Sequence, residues 1–222
     1  MAGSKGQSPA DEPPVFDRAF QDRLIDLFIW RRDVRHFKPD PVPPSEIDAL
    51  LDAANLAPSV GLSQPWRFVL VEDAGRRQAL RENFRKCNAT ALAEHEGEDA
   101  KLYADLKLAG LDDAPVQLAV FCDEATEQGR RLGRATMPEM LRYSVVAAVQ
   151  NLWLAARSCG IGVGWVSILE PEEVSRILET PADWRLVAYL CVGYPREEHL
   201  DSELERRRWE RRRHIDEMVT RR

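Results

Sequence analysis

Trp30-Arg31-Arg32-Asp33-Val34-Arg35-His36-Phe37 sets three arginines and one aspartate within five residues. Just upstream, Phe16, Phe20, Leu24, Leu27 and Phe28 recur at three- and four-residue spacing. That spacing predicts a helix beginning near Val15 with one apolar face turned to a core. Three guanidinium groups exceed what such a helix needs for solubility. Arginine binds phosphate bidentately, so the cluster suits a phosphorylated ligand. The plainer reading is a solvated charged turn.

Downstream, a Pro-rich turn (Pro39 to Pro44) leads to Ser45, read as the N-cap of a second helix whose stripe is Ile47, Leu50, Leu51 and Ala54, stopped by Pro58. A strand is expected from Arg67 to Glu72 and another from Val116 to Phe121, with polar, broken helix over 74–110. Thr136-Met137-Pro138-Glu139 has capping-box spacing and opens a long helix to about Ser158, with Val145, Val149, Leu152 and Ala156 inward and Gly160 as the stop. A third strand covers Gly162 to Ile168. Pro171 then starts a short helix, Glu172 to Leu178, and a fourth strand, Leu186 to Val192, runs into Gly193-Tyr194-Pro195. Helices and strands interleave, so the class is α/β or α+β with helices packed on a sheet.

The length of 222 residues and a hydrophobic content of 44% suit one domain with a sizeable core. Residues 1–15 are expected to form a disordered tail, because they are rich in Gly, Ser and Pro and contain no apolar run of the kind a signal peptide needs. A formal net charge of -6 argues against a nucleic-acid binder. No apolar run reaches the roughly 18 residues of a membrane span. Cys87, Cys122, Cys159 and Cys191 are scattered and read as reduced thiols, with Cys122 and Cys191 buried. The four histidines are as scattered, so no metal site is expected. These features together point to the cytoplasm.

Three further segments carry candidate chemistry. Ser59-Val60-Gly61-Leu62-Ser63-Gln64-Pro65-Trp66 offers small residues for close approach and side-chain hydrogen bonds from Ser59, Ser63 and Gln64, though alone it reads as a connecting turn. Gly162-Val163-Gly164-Trp165-Val166-Ser167 is not a dinucleotide fingerprint, because strand residues follow its glycines. A backbone bend beside a flat ligand fits better, with Ser167 placed to hydrogen-bond it. The tail, Arg206-Arg207-Arg208 and Arg211-Arg212-Arg213, reads as a solvated helix face from which one arginine can reach a phosphate.

In this order the four segments resemble the flavin-dependent nitroreductase superfamily over residues 16–213. Asp33 stands where ordinary members carry serine, and Gly61-Leu62 where they carry asparagine. With Arg131-Leu132-Gly133-Arg134-Ala135-Thr136-Met137-Pro138 and Trp153 to Arg157, these departures resemble the flavin-destructase branch. The resemblance implies an α+β fold with a mainly antiparallel sheet flanked by helices, and a lid around 80–110. It implies a homodimer centred on the long Ala-rich helix, which Val145, Val149, Leu152 and Trp153 make more apolar than a surface helix needs. It also implies that reduced flavin mononucleotide (FMN) is consumed as substrate, with dioxygen as co-substrate, giving dimethylbenzimidazole and erythrose 4-phosphate. It also leaves a separate flavin reductase as a supplier of the reduced flavin.

For individual residues, the resemblance implies that Arg31, Arg32, Val34 and Arg35 line the phosphate and ribityl end. Asp33 is then a general base there, and Ser167 a hydrogen-bond partner of the ring. Ser59, Gly61, Ser63, Gln64 and Arg212 are further flavin contacts. Two alternatives stay open at this point: a nitroreductase that retains its flavin, and a non-catalytic FMN carrier.

Overall fold

A computed structural model describes residues 13–93 and 110–222. Its helices are α1 (Arg18–Trp30), α2 (Pro44–Asn55), α3 (Ala74–Ala93), α4 (Gly110–Asp113), α5 (Met140–Ser158), α6 (Pro171–Leu178) and α7 (Glu203–Arg206); its strands are β1 (Trp66–Leu70), β2 (Val116–Asp123), β3 (Gly162–Val166) and β4 (Trp184–Gly193). The strands form one antiparallel sheet in the order β1-β2-β4-β3, with a bulge at Val120/Phe121. The class is α+β.

Period-two alternation explains how the sheet is covered on both faces. On β2, Leu118, Val120 and Cys122 join the core built with Ile47, Leu50 and Ala54 of α2 and Val145, Val149, Leu152 and Ala156 of α5. Ala119 and Phe121 point the other way, to Phe37, Leu80, Val174, Leu178 and Tyr189. Gly160 ends α5 at φ +74, and the amides of Gly160 and Ile161 return to the carbonyls of Arg157 and Ala156 at 3.1 and 2.9 Å. This is a Schellman close, in which glycine takes the left-handed position at no steric cost.

Four local expectations fail. Ser45 is not the cap of α2: Pro43 stands at the N-cap and Pro44 opens the helix with its φ already set. Thr136 does not cap α5, whose first amides are met by carbonyls instead, Met140 to Met137 at 3.1 Å and Leu141 to Pro138 at 3.4 Å. The apolar face of α1 is not in the core: α1 has no buried residue, although it lies against α5. Conversely Val145, Val149, Leu152 and Trp153 are buried within the chain itself, so they are not surplus apolar surface.

All four cysteines are free, with Cys122 and Cys191 buried as expected. Burial pushes the Cys122 thiol up to about 12, so it is an inert core side chain. Among the described residues no helix is long and apolar enough to cross a membrane. The expected tail lies outside the described residues over 1–12, and the expected lid over 94–109.

Candidate functional site

β3 is an edge strand, and its free side is taken by the arginine segment. Asp33 bridges Val163 in parallel, and the Val34 amide donates to the Val163 carbonyl at 3.0 Å. The crossing is tight enough to dictate the glycines of β3. A Cβ on Gly164 would stand 2.1 Å from the Val34 carbonyl oxygen, and one on Gly162 would stand 2.8 Å from Val34 Cγ2. These glycines therefore admit a crossing chain. That replaces the expectation of a bend beside a flat ligand.

A second strand-like contact follows. Phe37 bridges Pro195, Lys38 donates to the Tyr194 carbonyl at 2.8 Å, and Arg196 donates to the His36 carbonyl at 3.1 Å. The chain beyond Pro195 is thereby laid across the arginine segment as a strap. Between them lies a cleft of about 590 Å³, lined by seven arginines against five carboxylates.

The three arginines of the segment are used differently. Arg32 is committed to backbone: its Nε donates to the Leu200 carbonyl at 3.0 Å, its Nη2 donates to the same oxygen, and its Nη1 donates to the Arg31 carbonyl at 2.9 Å. Arg35 Nε lies 3.5 Å from both Asp33 Oδ2 and Glu203 Oε2, yet it is buried and hydrogen-bonded to neither. Arg31 makes no ion pair among the described residues; its guanidinium lies over the Trp153 ring, 4.7 Å from the centroid. Burial, followed by repulsion from Arg32, holds Arg31 below the ordinary arginine value. Arg31 thus lacks an anionic partner among the described residues, whereas Arg35 is shared between two carboxylates, and the group that would complete Arg31 is a phosphate-sized anion.

Asp33 Oδ1 accepts a 2.8 Å hydrogen bond from the Trp165 amide. Burial raises its carboxyl above the ordinary aspartate value, against the opposing pull of that amide and of Arg35. One oxygen is fixed by that amide, and the other forms an ion pair with Arg35 Nε at 3.5 Å.

The remaining expected residues do not gather here. Ser59, Gly61, Ser63 and Gln64 sit on a separate loop at the start of α5, where the Ser144 hydroxyl accepts from the Val60 amide at 3.0 Å. Gly61 takes φ +58 against the Gly129 carbonyl, which explains a glycine there without a ligand. Ser59 Oγ accepts from the Gln64 amide at 3.1 Å, and Ser63 Oγ is buried with no hydrogen-bond partner. Ser167 is exposed just past the end of β3 and does not line the cleft. Arg212 is exposed and acts on Arg31 and Arg32 only through its charge, whereas Arg206 and Arg207 line the cleft.

Sequence reading missed Trp153, Leu200 and Glu203 as site residues. A signal for the last was present, since Ser202 and Glu205 form a reciprocal capping box that starts α7 and fixes Glu203.

Residues 29–194 match the Nitroreductase family model. The chain belongs to the nitroreductase family. It is 58% identical over 200 residues to a 5,6-dimethylbenzimidazole synthase of Rhodospirillum rubrum, covering 90% of this chain and 95% of that one. It is 46% identical over 180 residues to a 5,6-dimethylbenzimidazole synthase of Rhodobacter capsulatus, covering 81% and 87%. Among solved structures, an oxidised iodotyrosine deiodinase bound to FMN and 3-iodo-L-tyrosine matches with a TM-score of 0.68 at 30% identity, over 79% of this chain and 91% of that one. The antiparallel sheet flanked by helices is thus the nitroreductase fold.

Proposed function

We propose that this chain is a 5,6-dimethylbenzimidazole synthase: it binds reduced FMN as substrate and cleaves it with dioxygen to dimethylbenzimidazole and erythrose 4-phosphate. The observation that carries the reading is Arg31, a guanidinium with no ion pair among the described residues, in an arginine-lined cleft beside the Asp33 carboxylate. The names of the relatives at 58% and 46% identity support the same reading. Reduced flavin supplies the electrons that dioxygen takes and the ring that leaves as product.

In this reading Arg31 and Arg35 hold the phosphate, with Val34 beside them and Arg212 as an outer charge. Arg32 fastens the strap through Leu200. Asp33 Oδ2 takes a proton from a ribityl carbon or hydroxyl as general base. Ser167 donates a hydrogen bond at the ring end.

Ser59, Gly61, Ser63 and Gln64 complete the site from a second copy of the chain in a homodimer. Support for the dimer comes from the apolar side chains that α1 leaves exposed, Ile25, Phe28, Ile29 and Trp30, and from Tyr143 and Val146 on α5. The expected lid around 80–110 starts beyond the part of α3 that Leu80 and Asn83 fix in the core, a separate reductase supplies reduced flavin, and the setting is cytoplasmic, in keeping with four free thiols.

The test is optical. Reduced FMN, nearly colourless, mixed with the protein and air should fail to regain the yellow of oxidised FMN in proportion to product formed. A protein that stays yellow through repeated turnover with a nicotinamide reductant would instead be a flavin-retaining reductase.

A further inference from the structure

We infer that Trp153 is the positioning residue of the phosphate-binding end, a platform that holds Arg31 in place for an anion without neutralising it. This rests on the reading of the cleft as a flavin phosphate site. Trp153 belongs to α5 and is 7% exposed. Its ring lies under Arg31 at 4.7 Å, and its Nε1–H donates to the Arg32 carbonyl at 3.2 Å. Its ring also packs against Trp165, with centroids 6.3 Å apart, and the Trp165 amide holds Asp33 Oδ1 at 2.8 Å. One indole therefore touches Arg31 and Arg32 directly and stands one contact from Asp33.

The choice of an aromatic group has a physical reason. Arg31 is half-buried, is repelled by Arg32 and Arg212, is attracted by Asp33 only beyond ion-pair distance, and has no ion pair among the described residues. A carboxylate placed there would hold the guanidinium but would compete with phosphate for the same N–H donors. A ring offers the cation a negative face and leaves those donors free for a bidentate acceptor. Arg157 meets Trp30 in a looser version of the same contact, 5.9 Å from the centroid, but its donors are already taken by Glu198 at 2.7 and 3.0 Å. Of these two arginines over tryptophans, Arg31 is the one left open to a ligand.

Calorimetric titration of the full-length protein with FMN and with riboflavin tests the inference, with thermal unfolding recorded for each variant. Wild type should prefer FMN. Trp153→Leu should weaken FMN by about 3- to 30-fold, the range that cation–π energies imply, and leave riboflavin unchanged. Trp153→Phe should restore most of the preference, because it keeps an aromatic face while losing the Nε1–H bond and part of the ring. If the Leu variant does not fold, Trp153→Met replaces it as a side chain of bulk without a face. A folded Leu or Met variant that keeps the wild-type preference, or loses both ligands equally, overturns the role of Trp153. Wild type with no preference for FMN overturns the phosphate reading itself, and this inference with it.

Discussion

The backbone amide of Trp165 donates to Asp33 Oδ1 at 2.8 Å, which pins one carboxylate oxygen to β3 and sets Oδ2 in an ion pair 3.5 Å from Arg35 Nε. Asp33→Asn keeps an acceptor for that amide and removes the base. The variant should still bind reduced FMN and let dioxygen oxidise it. Product per bound flavin should fall by roughly 10²–10⁴-fold, the scale of a lost general base. Single-turnover mixing with air, with recovered flavin assayed alongside product, makes the comparison. Unchanged product per bound flavin would remove Asp33 from the chemistry.

The same carboxyl carries a stability signature. Its pKa is raised in the folded chain, so the native state holds the proton more tightly than the unfolded state does. Ionising Asp33 therefore costs native stability. The cost is absent below the ordinary aspartate range and develops as pH rises through it. The Tm of Asp33→Asn relative to wild type should climb as pH rises through and above the ordinary aspartate value of about 4. A difference that is flat, or that shrinks with rising pH, contradicts the raised pKa.

Arg31 and Arg32 are neighbours with different duties, and substitution should separate them. Arg31→Ala should weaken FMN by about 10- to 100-fold and leave riboflavin nearly unchanged, as expected for a lost charge-assisted bond to phosphate. Arg32→Ala frees the strap at Leu200, so it should weaken both flavins alike and speed their release. Titration with both ligands decides the matter, and equal losses for Arg31→Ala would show that it is not a phosphate anchor.

Gly164→Ala would drive a Cβ into the Val34 carbonyl, which stands 2.1 Å from that position. Backbone cannot yield as a flexible side chain does, so the variant should lose at least about 1–3 kcal/mol in denaturant unfolding. Its flavin affinity should fall too, because residues 31–35 must shift. A variant as stable as wild type would contradict a close crossing of Val34 over Gly164.

That glycine marks the boundary of what a sequence can show. The arginine segment, the β3 pattern and the Ala-rich helix were legible because each is a local run of residue types. The reason for Gly164 was not, because its partner Val34 lies far away in the chain and nothing in the run Gly162 to Ser167 encodes a crossing strand. Arg32 misleads in the same way: composition groups it with Arg31, and only the fold brings the Leu200 carbonyl to consume its donors. The stripe of α1 was read at the right residues but assigned to the core, since periodicity reports an apolar face and not what covers it.

The exposed face of α1 supplies the test of assembly. Phe28 is 44% exposed and Ile25 is 55% exposed. The double substitution Ile25→Glu with Phe28→Glu should leave the monomer fold intact, shift sedimentation to the monomer and abolish product formation. A wild-type protein that sediments as a stable, active monomer would sink the dimer.

The most direct measurement of the central claim is mass detection of the organic product. Purified protein is mixed with a known amount of reduced FMN and exposed to air, and the quenched mixture is analysed for dimethylbenzimidazole and residual flavin. Dimethylbenzimidazole should appear in proportion to the flavin lost, and Asp33→Asn should give roughly 10²–10⁴-fold less per bound flavin. Full recovery of oxidised FMN with no dimethylbenzimidazole from the wild-type protein would contradict it.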